Sequence, residues 1–248
     1  MKSIEEHIKT AGIIIIGDEI LSGKVQDSNS FLLASELRAL GVSVMRISVI
    51  PDDIVTIGSE ALSFSKTFDY VFTSGGVGPT HDDVTVAGIA QGFGVKLIRH
   101  PVLEEKFRQR YGESCNDAVL KMAEVPEGAE LLDFGNARFP LVVFRNIYIF
   151  PGIPKYLREK FRLVKERFRS SALFLRKLFL NAEETDIAAD LNTIVSENKE
   201  VSFGSYPILD NPEYKLVITV ECRSENSLSK AVGQLLGCLQ KQVIVRVE

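Results

Sequence analysis

The sequence predicts an α/β protein: a domain with a mostly parallel sheet over residues 1–175, then a small α+β domain over 176–248. Three features carry that expectation. "AGIIII" (11–16) is a continuous β-branched run, as a central parallel strand shows. From residue 11 to about 100, strand-like and helix-like stretches alternate with short links, which implies parallel strands joined by right-handed crossovers. Near residue 176 the rhythm changes to β-α-β-β-α-β, the ferredoxin-like order.

Each element has its own local reason. "NSFLLASELRALG" carries Leu33, Leu37 and Leu40 at helical spacing and closes on Gly41. "VSVMRISVI" (42–50) reads as a second strand. Ile57, Ala61, Phe64 and Phe68 share one face of the next helix, with Asp52 or Asp53 near its cap. "DYVFT" (69–73) is a third strand, followed by a glycine-rich loop and a helix in "DVTVAGIAQGFG". A charged helix is expected over about 101–111 and a shorter one near 116–122. "LVVF" and "IYIF" flank Arg145-Asn146, a two-residue hairpin pattern. "PGIP" (151–154) is a rigid turn, and Leu157, Phe161, Val164 and Phe168 then mark an amphipathic helix. In the second domain, a strand-like "KLFL" precedes a helix with Ile187, Leu191 and Ile194 on one face. "EVSFGSYP" and "YKLVITVE" read as paired strands, and a helix through Ala231, Leu235 and Cys238 leads into "VIVRV".

Composition narrows the function. With 45% hydrophobic and 25% charged residues the chain is ordinary globular material, and a net charge of −4 argues against a general nucleic-acid binder. No apolar run approaches the roughly 20 residues of a membrane span. The start, "MKSIEEHIKT", has neither a signal peptide's apolar core nor a transit peptide's Arg-rich character, so a cytoplasmic protein is expected. Cys115, Cys222 and Cys238 are few and widely separated, and read as reduced thiols.

The chemistry concentrates in two loops beyond the carboxyl ends of the strands, where parallel sheets bind ligands. "GDEILSGK" (17–24) is not a P-loop: Gly17 and Gly23 enclose five residues where that motif has four, and Val25 stands where Ser or Thr belongs. Gly76 and Gly78 begin a dinucleotide fingerprint, but His81 stands where it needs Gly or Ala. "TSGGVGPTHDD" (73–83) instead sets backbone amides and a helix start around one concavity suited to a phosphate. The plainer reading is a tight turn with Asp82 or Asp83 as a helix cap; two carboxylates exceed what one cap needs. Asp18, Glu19 and Asp27 lie in the parallel loop. If the loops meet, five carboxylates converge, and a hard divalent cation such as Mg²⁺ is the natural occupant. His81 is a phosphate contact at best, and His7 and His100 read as solvated. Lys155 to Lys177 holds nine Lys/Arg against two Glu, either a docking face or the solvated side of an amphipathic helix.

"IIIIGDEILSGKVQDSNSFLLASELRALGV" with "DYVFTSGGVGPTHDDVT" resembles the molybdopterin-binding, MoaB/MogA-like fold. More narrowly it is similar to the form shared by CinA proteins and the N-terminal domain of eukaryotic FAD synthases. "FPLVVFRNIYIFPGIP" and "GSYP" (204–207) favour the FAD synthase branch, while "GNARFPL" (135–141) departs from the "GTAPG" usual in CinA. The resemblance implies a three-layer α/β/α domain followed by the smaller one. It implies a phosphate or substrate site from Gly17, Asp18, Glu19, Asn29, Thr73, Ser74, Gly75, Gly76, Gly78, Pro79, Thr80 and Gly152. Asp83, Asp82 and Asp27 would be catalytic and hold the metal, Mg²⁺ or Co²⁺, with K⁺ as a further candidate. The activity implied is metal-dependent cleavage of a nucleotide pyrophosphate, either FAD or ADP-ribose; the rival is a non-catalytic module binding a flavin or pterin nucleotide. Nothing after residue 176 resembles the FAD-forming adenylyltransferase, so this chain is not expected to make FAD alone. Self-association as a dimer or trimer is expected; nucleic acid and membrane partners are not.

Overall fold

The computed structural model describes residues 8–133 and 139–248. His7 and most of the "GNARFPL" stretch therefore lie outside the described residues. The chain divides into two compact units between Ser170 and Ser171. The boundary expected at 175/176 falls inside a strand, because Phe168 still closes the first core and the next strand already begins at Phe174.

In the first unit, β1 (Thr10–Ile16), β2 (Ser43–Ile50), β3 (Tyr70–Ser74) and β8 (Ile147–Phe150) run parallel. The sheet is completed antiparallel by β6 (Glu130–Leu132) and β7 (Leu141–Phe144), in the order β2-β1-β3-β8-β7-β6. Both faces are covered, which is why β1 is apolar on every residue from Ala11 to Ile16 except Gly12. After the single turn α1 (Asp18–Leu21), α2 (Asn29–Ala39) and α7 (Pro154–Val164) pack on one face through Leu33, Leu37, Leu157, Phe161 and Val164 against Ile13, Ile15 and Phe72. On the other, α3 (Ile54–Thr67) and α4 (Thr85–Gly92) bring Ile57, Ala61, Phe64 and Ile89 to Ile14, Ile16 and Val71. The layers are α/β/α. Arg145 takes a positive φ of 55° in the hairpin between β7 and β8, and its guanidinium lies 4.6 Å above the Phe93 ring.

A smaller cluster flanks this sandwich. α5 (Pro101–Tyr111), α6 (Asp117–Lys121) and the short strands β4 (Leu97–Arg99) and β5 (Glu124–Pro126) gather Leu103, Phe107, Ala123 and Val125, with Phe139 and Val142 against them. His100 is not simply solvated: its Nδ1 accepts the Val102 N–H at the start of α5.

The second unit has β9 (Phe174–Leu180), α8 (Glu184–Glu197), β10 (Ser202–Pro207), β11 (Leu216–Cys222), α9 (Glu225–Cys238) and β12 (Ile244–Val247). Its sheet order, β10-β11-β9-β12, is antiparallel throughout, and the two helices bury Ile187, Leu191, Ala231 and Leu235 against one face. No described helix is long and apolar enough to cross a membrane. The three cysteines are free thiols.

Candidate functional site

From β1 the chain passes to β2 on one side of the sheet and returns to β3 on the other. The loops after β1 and β3 therefore diverge and leave a crevice between them, the usual ligand position in such sheets. The two backbones touch at its floor. Gly75 has φ +113°, and a Cβ built there would stand 2.0 Å from the Ile16 carbonyl oxygen. Only glycine fits.

A cleft of about 1010 Å³ opens from this floor. One end is the glycine loop, Gly75 to Pro79, with Glu19, Asp83 and the Pro151–Pro154 turn. The other is apolar: Leu103, Phe107, Met122, Phe139 and Val142 cluster there, with Tyr156 and Lys160 also in the lining.

The loop's hydrogen bonds decide which amides face the cleft. The Gly75 N–H donates to Phe150 O at 3.3 Å and the Gly17 N–H to Ile50 O at 3.1 Å. Both were expected to serve phosphate; instead they tie the loops to neighbouring strand ends. Pro79 has no N–H to offer. The N–H groups of Gly76, Val77 and Gly78, three residues that line the cleft, meet no protein acceptor among the described residues and make a cradle of unbonded donors. The cradle is pinned from behind: Thr85 donates its N–H to Gly76 O at 3.0 Å and its hydroxyl to Gly75 O at 2.8 Å.

Asp83 is neither a plain helix cap nor a free ligand. Val84 occupies the cap position of α4, while Asp83 Oδ2 accepts both the N–H (2.8 Å) and the hydroxyl of Thr80, closing the 80–83 turn. A Cβ at Gly78 would strike that same carboxylate, so Gly78 exists to let Asp83 in. Asp82 lies outward beside His81, whose side chain is 97% exposed. Asp27 accepts the N–H groups of Asn29 (2.9 Å) and Ser30 (3.2 Å) and the Ser30 hydroxyl, which caps α2. The three carboxylates expected to hold a metal do not fit one: two are engaged in their own turns, and among the described residues no group of three Asp, Glu, His or Cys side chains comes together.

Asn29 lies beneath the loops as a strut. Its Nδ2 donates to Ser74 Oγ at 2.9 Å and to Gly152 O at 2.6 Å, and Ser74 in turn donates to Pro151 O. Thr73 and Ser74 are buried below the cradle, and neither lines the cleft. Gly152 reaches the cleft: a Cβ there would lie 3.2 Å from the Gly75 Cα.

Three residues outside the expected set belong to the site. Asp52 Oδ2 accepts the Asp18 N–H at 2.9 Å, and its Oδ1 stands 3.4 Å from where a Gly76 Cβ would be. Burial pushes its carboxyl up, and the charges of Glu19, Asp18 and Asp82 push the same way. Asp53 takes the cap of α3, accepting the Thr56 N–H at 2.8 Å. One cap needs one carboxylate, so the signal for Asp52 was present in the sequence. Lys121 donates to Thr80 O at 2.6 Å and brings a positive charge to the loop. Lys160 leaves the basic face of α7 and lines the cleft; Lys155 and Arg158 stay solvated, as an amphipathic helix predicts.

Residues 12–170 match the family described as "Probable molybdopterin binding domain", and residues 172–248 match "FAD synthase, middle domain". The chain is 36% identical over 225 residues to a protein of Archaeoglobus fulgidus, covering 90% of this chain and 94% of that one. It is 33% identical over 264 aligned residues to the "Probable FAD synthase" of Caenorhabditis elegans, covering 95% of this chain and 51% of the relative. The chain thus spans about half the length of that relative, and 47% of its Caenorhabditis briggsae counterpart. Among solved structures, a CinA protein of unknown function from Thermoplasma acidophilum superposes with a TM-score of 0.60 at 29% identity, covering 64% of this chain and 98% of that one.

Proposed function

Because the chain belongs to the molybdopterin-binding-domain family, continued by a FAD synthase middle domain, we propose that its first unit binds a flavin or pterin nucleotide. A phosphate rests on the amides of Gly76, Val77 and Gly78, and the ring lies in the apolar half of the cleft. The observation that carries this reading is the pairing of three unbonded N–H groups with an aromatic-lined wall in one cleft. Pockets that take cofactor-sized ligands have this make-up, mostly apolar with a few placed polar groups. The N-terminal end of α4 adds favourable potential for an anion. Calorimetric titration of the purified chain with FAD and with ADP-ribose tests it. Saturable binding competed by inorganic phosphate is expected; no heat with either nucleotide overturns it.

Cleavage of the bound pyrophosphate, FAD to FMN and AMP or the corresponding cut in ADP-ribose, is a second reading. Asp52 favours it: a carboxyl beside the cradle with its pKa pushed up is suited to accept a proton from water. Incubation with each nucleotide, with and without Mg²⁺, Co²⁺ or K⁺, checks for FMN or AMP. If neither product forms in any condition, binding alone remains.

Self-association through the first unit is part of the same proposal. β2 is an edge strand, and Met45, Ile47 and Val49 are exposed along it, an apolar row that an edge strand ordinarily avoids. Light scattering should return a mass above that of one chain, and Ile47→Lys should lower it. A monomer mass for the unaltered protein at micromolar concentration removes the idea.

A further inference from the structure

Lys160 is a half-buried cation of the cleft. Its Nζ donates to Phe139 O at 2.6 Å and Pro140 O at 2.9 Å. Among the described residues no carboxylate pairs with it; Asp133, whose charge acts on it, pairs at 2.9 Å with Lys106. Burial pushes the amine down to about 8, with Asp133 working the other way. An ammonium has three N–H donors, and two are engaged. Beside it Phe107 and Phe139 stack with ring centroids 4.4 Å apart, and Leu103 and Val142 complete an apolar wall. A cation is therefore held at the ring end of the cleft with one donor left over.

Resting on the binding reading above, we propose that Lys160 is a specificity-determining residue: its remaining N–H donates to a ring carbonyl of the ligand and selects an oxo-bearing ring over adenine. Flavins and pterins both present carbonyl oxygens on the pyrimidine edge, and a charge-assisted hydrogen bond from an ammonium suits them. Adenine carries an amino donor at the corresponding place, so two donors would face each other beside an apolar wall. The bond also favours the charged amine. Asp133 acts on that amine across space, Glu159 and Arg162 share its helix, and Lys121 and Glu124 line the same cleft. Ligand affinity through this contact is full while Lys160 is protonated and falls as the pH rises through about 8.

The test titrates the full chain and Lys160→Met with FMN, a pterin monophosphate, AMP and inorganic phosphate. The unaltered protein should prefer the oxo rings to AMP by about tenfold or more, and the variant should lose that preference with AMP and phosphate affinity nearly unchanged. FMN affinity of the unaltered protein should also drop between about pH 7 and 9 while AMP affinity stays level, a readout that needs no variant. Whichever oxo ring binds more tightly identifies the ligand. If AMP and phosphate bind but FMN and the pterin bind no better, or if Lys160→Met keeps the preference, the role of Lys160 is overturned and the binding reading stands. If none of the four binds, the binding reading falls and this one with it.

Discussion

Two pairs of adjacent aspartates, 52–53 and 82–83, lie beyond the carboxyl ends of parallel strands β2 and β3 and use their charges differently. The second member of each pair closes its own turn against a threonine three residues away: Asp53 accepts from Thr56, Asp83 from Thr80. The first members part company. Asp82 stays in solvent beside His81, while Asp52 turns inward to the Asp18 N–H and the face of Gly76. Local hydrogen bonds claim their carboxylates first, and the site is built from what is left. A doubled acid thus marks one structural and one available carboxylate, and only the surroundings say where the available one points.

Five substitutions break or sharpen that contrast. The largest effect belongs to Gly75→Ala, which removes the floor both pairs stand around. With φ +113° and a carbonyl 2.0 Å from the new Cβ, it should cost about 3 kcal/mol or more in denaturant unfolding. A loss below about 0.5 kcal/mol would mean that the strand ends do not approach so closely. Next is Gly76→Val, between Asp52 and Thr85, where φ is +62° and a Cβ would press on the Thr85 hydroxyl. Nucleotide affinity should fall at least about tenfold, or about 1.4 kcal/mol, with the sheet still folded. Unchanged affinity in a folded variant would reduce the glycines to turn-makers.

Asp83→Ala should lower stability by about 1 kcal/mol, as the loss of a turn-closing carboxylate does, and weaken nucleotide binding several-fold by loosening the cradle. Asp53→Ala serves as its control: a lower unfolding midpoint with affinity untouched. If the two variants behave alike in the binding assay, Asp83 has no part in the site beyond its turn. The smallest effect is that of Asp52→Asn. Its folded pKa lies above the ordinary 3.8, so its carboxyl contributes to stability below that value and the contribution is lost as the pH rises through the folded value. The variant should gain on the unaltered protein across that window; Asp53, held low by Thr56, contributes in the reverse sense. Parallel stability–pH curves for Asp52→Asn and the parent would show that Asp52 is not desolvated.

Much of this molecule is written locally. The run "AGIIII", the Leu33–Leu37–Leu40 and Leu157–Phe161–Val164 spacings, and the Arg145–Asn146 hairpin each declare their element within about a dozen residues, because strand and helix periodicities are short-range properties of the chain. The two crevice loops followed, since their place beyond the strand ends comes with a parallel sheet. The second unit's strand order was equally legible from β-α-β-β-α-β. A closer reading had two more signals available. The logic of one cap per helix singles out Asp52, and Lys160, three residues after Leu157 and one before Phe161, sits on the flank of the buried stripe of α7.

The rest was decided in three dimensions. Which amides stay open depends on bonds from Gly75 to Phe150 and from Gly17 to Ile50. Asn29 became a strut through a contact 123 residues away, Asp52 meets Asp18 across 34, and Lys160 finds its carbonyls 20 and 21 residues back. Hydrogen-bond partners and desolvation belong to the packed arrangement, so residues of one type and similar local context end with different charges to offer. The sequence by itself determined the elements and the crevice between them. Tertiary structure alone chose the donors and carboxylates that face it, because a buried polar group takes whatever partner the fold brings within about 3 Å.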